Sequence, residues 1–130
     1  MNDKKIISLT FDDTPFDTTG KLLDMLKEKD VRATFFMIGN NIKQYPEFAR
    51  RAVNEGHEIG WHSMEHNITA FSKREEVYAD FSSAQPLLES IGCNHKIKYL
   101  RCPGGHISED IAHAAYQNGF KIVNWSHYSF

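Results

Sequence analysis

Between residues 6 and 125 the chain alternates short β-branched and aromatic runs with segments whose apolar residues recur three and four apart. This alternation constrains the fold more than any other feature. Strands separated by amphipathic helices pair in parallel, because each parallel step needs a crossover long enough to hold a helix, and the crossover is right-handed. The expected class is α/β, with about five βα units in one domain spanning residues 1–130.

The pattern divides into elements as follows. Residues 6–11 read as a first, buried strand. Thr19 can cap a helix carrying Leu22, Leu23 and Leu26. Residues 32–38 form a second strand closed by Gly39, and Pro46 opens a helix whose stripe is Phe48, Ala49, Ala52 and Val53. Residues 57–61 give a third strand. Ser72-Lys73-Arg74-Glu75 reads as a capping box for a long helix that Pro86 should kink or split and Gly92 should end. Residues 97–101 and 120–125 are strands four and five, with a helix from Ser108 to Gly119 between them.

Composition excludes several classes. Hydrophobic residues make up 41% and charged residues 25%, the balance of a folded globular chain. Fifteen basic and seventeen acidic residues are spread without a basic cluster, so nothing points to nucleic acid or an anionic membrane surface. Residues 6–11 are too short for a signal-peptide core, and no run is long enough for a transmembrane helix. Cys93 and Cys102 have no metal or disulfide spacing and read as buried thiols.

In parallel βα architectures the functional site gathers at the carboxyl ends of the strands. Here Asp12-Asp13 end strand one, His62-Ser63-Met64-Glu65-His66 follow strand three, and Arg101-Cys102-Pro103-Gly104-Gly105 follow strand four. Trp125-Ser126-His127 follow strand five. Two imidazoles four apart share a face, and with one carboxylate they make a metal set that leaves positions open for water and substrate. Asp13, His62 and His66 are the candidate ligands, with Asp12 left free as a base. Plainer readings exist: a turn pair of Asp residues, two surface histidines, an ordinary tight turn. Arg101 can pair with Asp12 or serve a structural salt bridge, and Gly104 and Gly105 offer N–H groups without side-chain obstruction. Trp61 and Trp125 can stack on a sugar or belong to the core. His57, His95 and His113 read as structural or solvated, while His106 and His127 lie at the site end of their strands.

Taken together, these clusters resemble the polysaccharide deacetylase family, also called the NodB-homology or carbohydrate esterase family 4 domain. Thr10-Phe11-Asp12-Asp13 is similar to its T-F-D-D-G motif, residues 62–66 to H-S/T-x-x-H, and residues 101–105 to R-x-P-x-G. Ala33-Thr34-Phe35-Phe36 with Gly39, and residues 54–60, are similar to the family framework. The resemblance implies a distorted (β/α) barrel, here partly complete. It implies a hydrolase that removes N-acetyl groups from an N-acetylglucosamine-containing polysaccharide such as peptidoglycan or a chitin oligomer. Carried over by position, it implies a divalent metal on Asp13, His62 and His66, zinc first, with cobalt, nickel or iron as alternatives. It further implies Asp12 as general base, Arg101 orienting it, the Gly104 N–H at the oxyanion, and Pro103, Gly105 and Trp125 lining the sugar site.

Three departures stand out. Thr14 replaces the Gly of the first motif and is expected to crowd or reshape the turn. Gly104 replaces the usual aromatic of the third motif. The family's D-W motif and the histidine acting as catalytic acid are expected past Phe130, so weak activity or none is expected of these residues alone. Alternative functions are a non-catalytic metal- or glycan-binding homologue and an amidase acting on small C–N substrates. The expected partner is an N-acetylated glycan, with self-association possible through an exposed last strand. The resemblance implies a secreted or cell-envelope location, while the missing signal peptide leaves the cytoplasm open.

Overall fold

The computed structural model describes residues 4–129. Residues 1–3 and 130, which entered the reading of the chain ends, lie outside the described residues. Five parallel strands form one sheet in the order β1-β2-β3-β4-β5. They are β1 (Thr10–Thr14), β2 (Thr34–Met37), β3 (Glu58–Trp61), β4 (Tyr99–Leu100) and β5 (Lys121–Ile122). The helices are α1 (Thr19–Glu28), α2 (Gly39–Gln44), α3 (Pro46–Asn54), α4 (Arg74–Ser90) and α5 (Glu109–Gln117).

Strand order equals chain order, as right-handed crossovers without reversal require, and this is the winding of a barrel and not of a doubly wound sheet. Alternate residues of β2 face opposite ways. Phe35 and Met37 join Leu23, Ile59, Trp61, Phe81 and Leu100 in the buried cluster beneath the helices. Phe36 is equally buried but lies on the inner wall, where the Arg101 guanidinium stacks on its ring at 4.1 Å. Gly60 of β3 makes room for that ring: a Cβ there would lie 2.5 Å from Phe36 Cδ1. Arg101 then reaches across to Thr10 and Asp12 on β1. A side chain that follows β4 can touch β1 only if the sheet curls, so the curl of a barrel is present.

The first strand begins later than its apolar run suggests. Ile6 and Ile7 are 88% and 81% exposed, and pairing starts at Thr10↔Thr34. β1 is the sheet's edge, and residues 4–9 lie upstream of the start of β2, so burial has nothing to work against. Strands two to five are also shorter than their apolar runs.

Helix starts differ in detail. Thr19 is the first residue of α1, and its hydroxyl accepts the Phe16 N–H instead of capping the helix. The N-cap of α4 sits one residue later than expected, at Lys73, whose N–H donates to Glu76; lysine has no acceptor to complete a capping box. The Ser72 hydroxyl takes the Thr69 N–H. Pro86 does not split α4. The carbonyl it leaves without an amide donor belongs to Ser82, an exposed residue. Ser108 caps α5 as expected, accepting the Ile111 N–H at 3.2 Å. No helix among the described residues is long and apolar enough to cross a membrane.

Candidate metal and catalytic site

The site is built from strand β1 upward. Phe11 pairs with Phe35 but Thr14 with Met37, so β1 carries one extra residue, a β-bulge. Asp13 sits at φ 60 within it. The bulge brings neighbouring carboxylates toward one region that a regular strand would send to opposite faces. Asn41 of α2 donates to the Asp13 carbonyl at 2.8 Å and holds the kink. Thr14 does not crowd the turn: it has no positive φ, is buried, and its hydroxyl donates to the Phe36 carbonyl at 3.4 Å.

His62 follows β3 and is 3% exposed, whereas His66, four residues on, keeps 44% of its side chain open. His62 Nδ1 lies 2.6 Å from the Arg101 carbonyl, which can only accept. The Nδ1 hydrogen therefore bonds this carbonyl, which leaves Nε2 facing Asp13 as the nitrogen available to a metal. His62 Nε2 and His66 Nε2 each lie 3.3 Å from Asp13 Oδ1. That is long for an N–H···O bond, which runs about 2.7–3.2 Å. It matches the ligand–ligand spacing of about 3.3–3.6 Å that tetrahedral geometry with bonds of about 2.0–2.2 Å requires. All three donor atoms lie within 4.8 Å of one another. Two imidazole nitrogens and one carboxylate oxygen at this spacing make a donor set that fits a divalent metal.

Asp12 sits beside this set. Its Oδ1 accepts from Arg101 Nη1 at 2.8 Å, which also donates to Thr10 Oγ1 at 2.8 Å. Arg101 Nε and Nη2 donate to the carbonyls of Val123 and Asn124 at 3.0 and 3.1 Å. The guanidinium is 3% exposed and uses its fork to fix one carboxylate while tying the segment after β5 to β1. Trp125 covers its outer face, 5.6 Å from guanidinium carbon to ring centre.

A cleft of about 680 Å³ opens beside Asp12, with Leu9, Phe11, Arg101, Trp125 and His127 on its walls. Pro103 is buried and shapes the turn. Gly104 is exposed at φ 67, a conformation that favours glycine over the aromatic usual at this motif position. A Cβ at Gly104 would lie 3.0 Å from the His106 ring, and one at Gly105 2.8 Å from Trp125. His57 lies at the other end of the sheet, buried, its Nδ1 accepting the Ala33 N–H at 3.2 Å. Trp61 is core. Burial pushes both thiols, Cys93 and Cys102, up to about 11.

Two contributors lay outside the sequence reading. Asn41 sits in the short helix α2, which residues 39–44 did not suggest. Asp80 of α4 accepts from Trp61 Nε1 at 2.8 Å and from the Met64 N–H at 2.7 Å. The one available signal was that a buried indole needs an acceptor, which does not say which residue supplies it.

The family model described as polysaccharide deacetylase matches residues 1–123. The chain belongs to the polysaccharide deacetylase family. It is 37% identical over 128 residues to a peptidoglycan-N-acetylglucosamine deacetylase of Bacillus cereus, covering 95% of this chain and 46% of that one. It is 36% identical over 121 residues to a chitooligosaccharide deacetylase of Azorhizobium caulinodans, covering 92% and 58%. Among solved structures it is similar to a mutant family 4 carbohydrate esterase pseudoenzyme from Bacillus anthracis with restored enzymatic activity. There the TM-score is 0.86 at 27% identity, over 97% of this chain and 46% of that one. The chain thus spans about half the length of the curated relatives it matches. As a member of this family, it has the deacetylase's distorted βα barrel for its fold, with five strands among the described residues.

Proposed function

We propose that this chain carries the metal and base half of an N-deacetylase site acting on an N-acetylglucosamine-containing polysaccharide. The observation that carries the reading is the Asp13–His62–His66 donor set standing beside the Arg101-held carboxylate of Asp12. The family includes a pseudoenzyme, so fold alone argues little for chemistry; the site residues do. Peptidoglycan and chitin oligomers are the proposed substrate class, in line with the names of the relatives. A cell-envelope or extracellular workplace follows from that substrate.

Asp13, His62 and His66 would hold one divalent ion, zinc first. Such an ion supplies a Lewis acid for the acetamide carbonyl and a water that ionises near neutral pH. Asp12 accepts the proton of the attacking water, and Arg101 keeps its carboxylate aimed toward the cleft. The Gly104 N–H donates to the oxygen that gains charge as the carbonyl carbon becomes tetrahedral. Trp125 and Gly105 offer a flat apolar wall to the sugar ring, with Pro103 fixing the turn beneath. The amine nitrogen must gain a proton as its bond to carbon breaks, leaving acetate and the free amine. Besides His62 and His66, the imidazoles nearest this end of the sheet are His106 and His127; His127 Nδ1 lies 3.2 Å from the adjacent Ser126 hydroxyl.

The first test is metal content of the purified chain and of an Asp13→Ala, His62→Ala double variant. About one divalent ion per chain, lost in the variant, is expected. Acetate release from N-acetylglucosamine oligomers and peptidoglycan glycan is then measured for a longer protein that contains this chain. No ion in the wild-type chain, or no acetate from the longer metal-loaded protein on any such glycan, would overturn the reading.

A further inference from the structure

The loop that carries both metal-site histidines is held in a conformation its residues do not favour. Ser63 and His66 sit at φ 67 and 59, the left-handed region that non-glycine residues enter only when surroundings impose it. Two sets of contacts impose it. On one side the Gly39 and Asn40 N–H groups donate to the Ser63 and Met64 carbonyls at 3.0 and 2.9 Å. On the other side stands one carboxylate, Asp80, projecting from α4.

Asp80 is outside the metal set, yet both its oxygens are committed to the loop. Oδ1 accepts from the indole of Trp61, the residue before His62; Oδ2 accepts from the Met64 backbone, midway between His62 and His66. Burial pushes the Asp80 carboxyl above the usual carboxylate range, opposed by the Met64 and Trp61 N–H bonds. A neutral acceptor would have satisfied the Trp61 indole at no such cost. The second oxygen is what the fold gains from a carboxylate here.

We propose that Asp80 is a positioning residue for the metal site, fixing the spacing and direction of the His62 and His66 imidazoles through the Trp61 indole and the Met64 N–H. The proposal rests on the metal reading of Asp13, His62 and His66. It assigns Asp80 the part of an outer-shell anchor: it touches no ligand atom but sets the backbone from which two ligands hang. Removing such anchors lowers metal affinity roughly ten- to hundredfold.

The test is a cobalt(II) titration of the metal-stripped chain, followed by visible absorption and by competition with a chelator. Four proteins are compared: wild type, Asp80→Leu, Trp61→Phe, and the double variant. Leu keeps roughly the size and offers no acceptor, so it breaks the Met64 bond whether or not the indole is present. The expected result is a roughly ten- to hundredfold loss of cobalt affinity with a changed absorption band in Asp80→Leu. The same loss should recur when Asp80→Leu is added to Trp61→Phe, because the Met64 bond is broken in both backgrounds. If Asp80 only satisfies the buried indole, the substitution will change nothing once Trp61 is gone, and the proposal falls. The second background also carries the test should Asp80→Leu alone fail to fold. Affinity and spectrum within about twofold of wild type in either background would likewise overturn it. Wild-type chain that binds cobalt no better than Asp13→Ala, His62→Ala would instead overturn the metal reading itself.

Discussion

Strands β2 and β3 run four residues each with three buried residues apiece, whereas β4 and β5 run two residues each, and Lys121 at the start of β5 is exposed. The metal corner belongs to the first pair. Its histidines follow β3, Asp13 is bonded to α2, and the loop is gripped by backbone and by Asp80. The proposed substrate wall belongs to the second pair. Past β5 the chain runs on with Trp125 and Tyr128 exposed, 44% and 70%, and with a few bonds holding it. Three of those bonds are the Val123 N–H to the Leu100 carbonyl and the two carbonyls that accept from Arg101. One flank is fixed by a longer backbone ladder and a packed core; on the other, a single side chain, Arg101, supplies two of the bonds that hold the segment past β5. The difference teaches where the same site is robust and where it is fragile.

The largest effect should come from removing that side chain. Arg101→Ala takes away a buried cation that Asp12, Thr10 and two carbonyls share, and leaves Phe36 without its stacking partner. Breaking a buried pair costs about 3–5 kcal/mol, and about 3 is expected here because Asp12 keeps part of its surface in water. Urea unfolding checks the size, and hydrogen exchange checks the place. Residues 121–125 should lose protection well before residues 34–37 and 58–61. A loss under about 1 kcal/mol, or one spread evenly over both flanks, would break the contrast.

A smaller effect probes the seam between the flanks. Gly60→Ala places a Cβ 2.5 Å from the Phe36 ring and 3.1 Å from the Tyr99 carbonyl. The ring is the floor on which Arg101 lies, so the clash should push outward toward the site. Overpacking of this kind costs about 1–3 kcal/mol. Metal affinity should hold within about threefold, since His62 and His66 are braced from elsewhere. Stability unchanged in urea would mean that Phe36 has room to turn, and that the inner wall is looser than its burial indicates.

Much of this was readable in the chain. Short β-branched and aromatic runs alternating with segments of period 3.6 gave the class, and Asp13, His62 and His66 do converge because strand ends in parallel βα folds share one side. What escaped reading depended on neighbours. The bulge at Asp12-Asp13 shows only in the register with β2, because a strand's own pattern does not count its partner's residues. Ile6 and Ile7 look like core and lie in water because β1 is an edge. Pro86 looks like a break, yet the residue whose carbonyl it orphans, Ser82, is exposed and the helix runs through. Asp80 looks like any acidic residue of an amphipathic helix. Its value appears only when Trp61 and Met64, nineteen and sixteen residues away, are placed against it.

The smallest effect concerns the floor of the better-built flank, at the end of the sheet away from the metal. His57 is buried with its ring edge toward Phe35, and its Nδ1 accepts the Ala33 N–H. Burial lowers its pKa from 6.5; nearby Arg32 lowers it too, while Glu55 opposes. The unfolded chain therefore takes up this proton at ordinary histidine pH, and the folded chain only at lower pH. The neutral ring contributes stability that is full above about pH 6.5 and shrinks as pH falls below it through the folded value. His57→Gln keeps a side-chain oxygen to accept from Ala33 and removes the titration. Urea stability measured from about pH 7.5 down to about pH 5 should show wild type losing ground to the variant as acid is added. Loss should appear first in the exchange of residues 33–35 and 58–59, leaving the segment past β5 untouched. A stability difference that stays flat with pH, or grows in wild type's favour on acidification, would show that His57 is charged in the fold and that this flank's base is wetter than its packing implies.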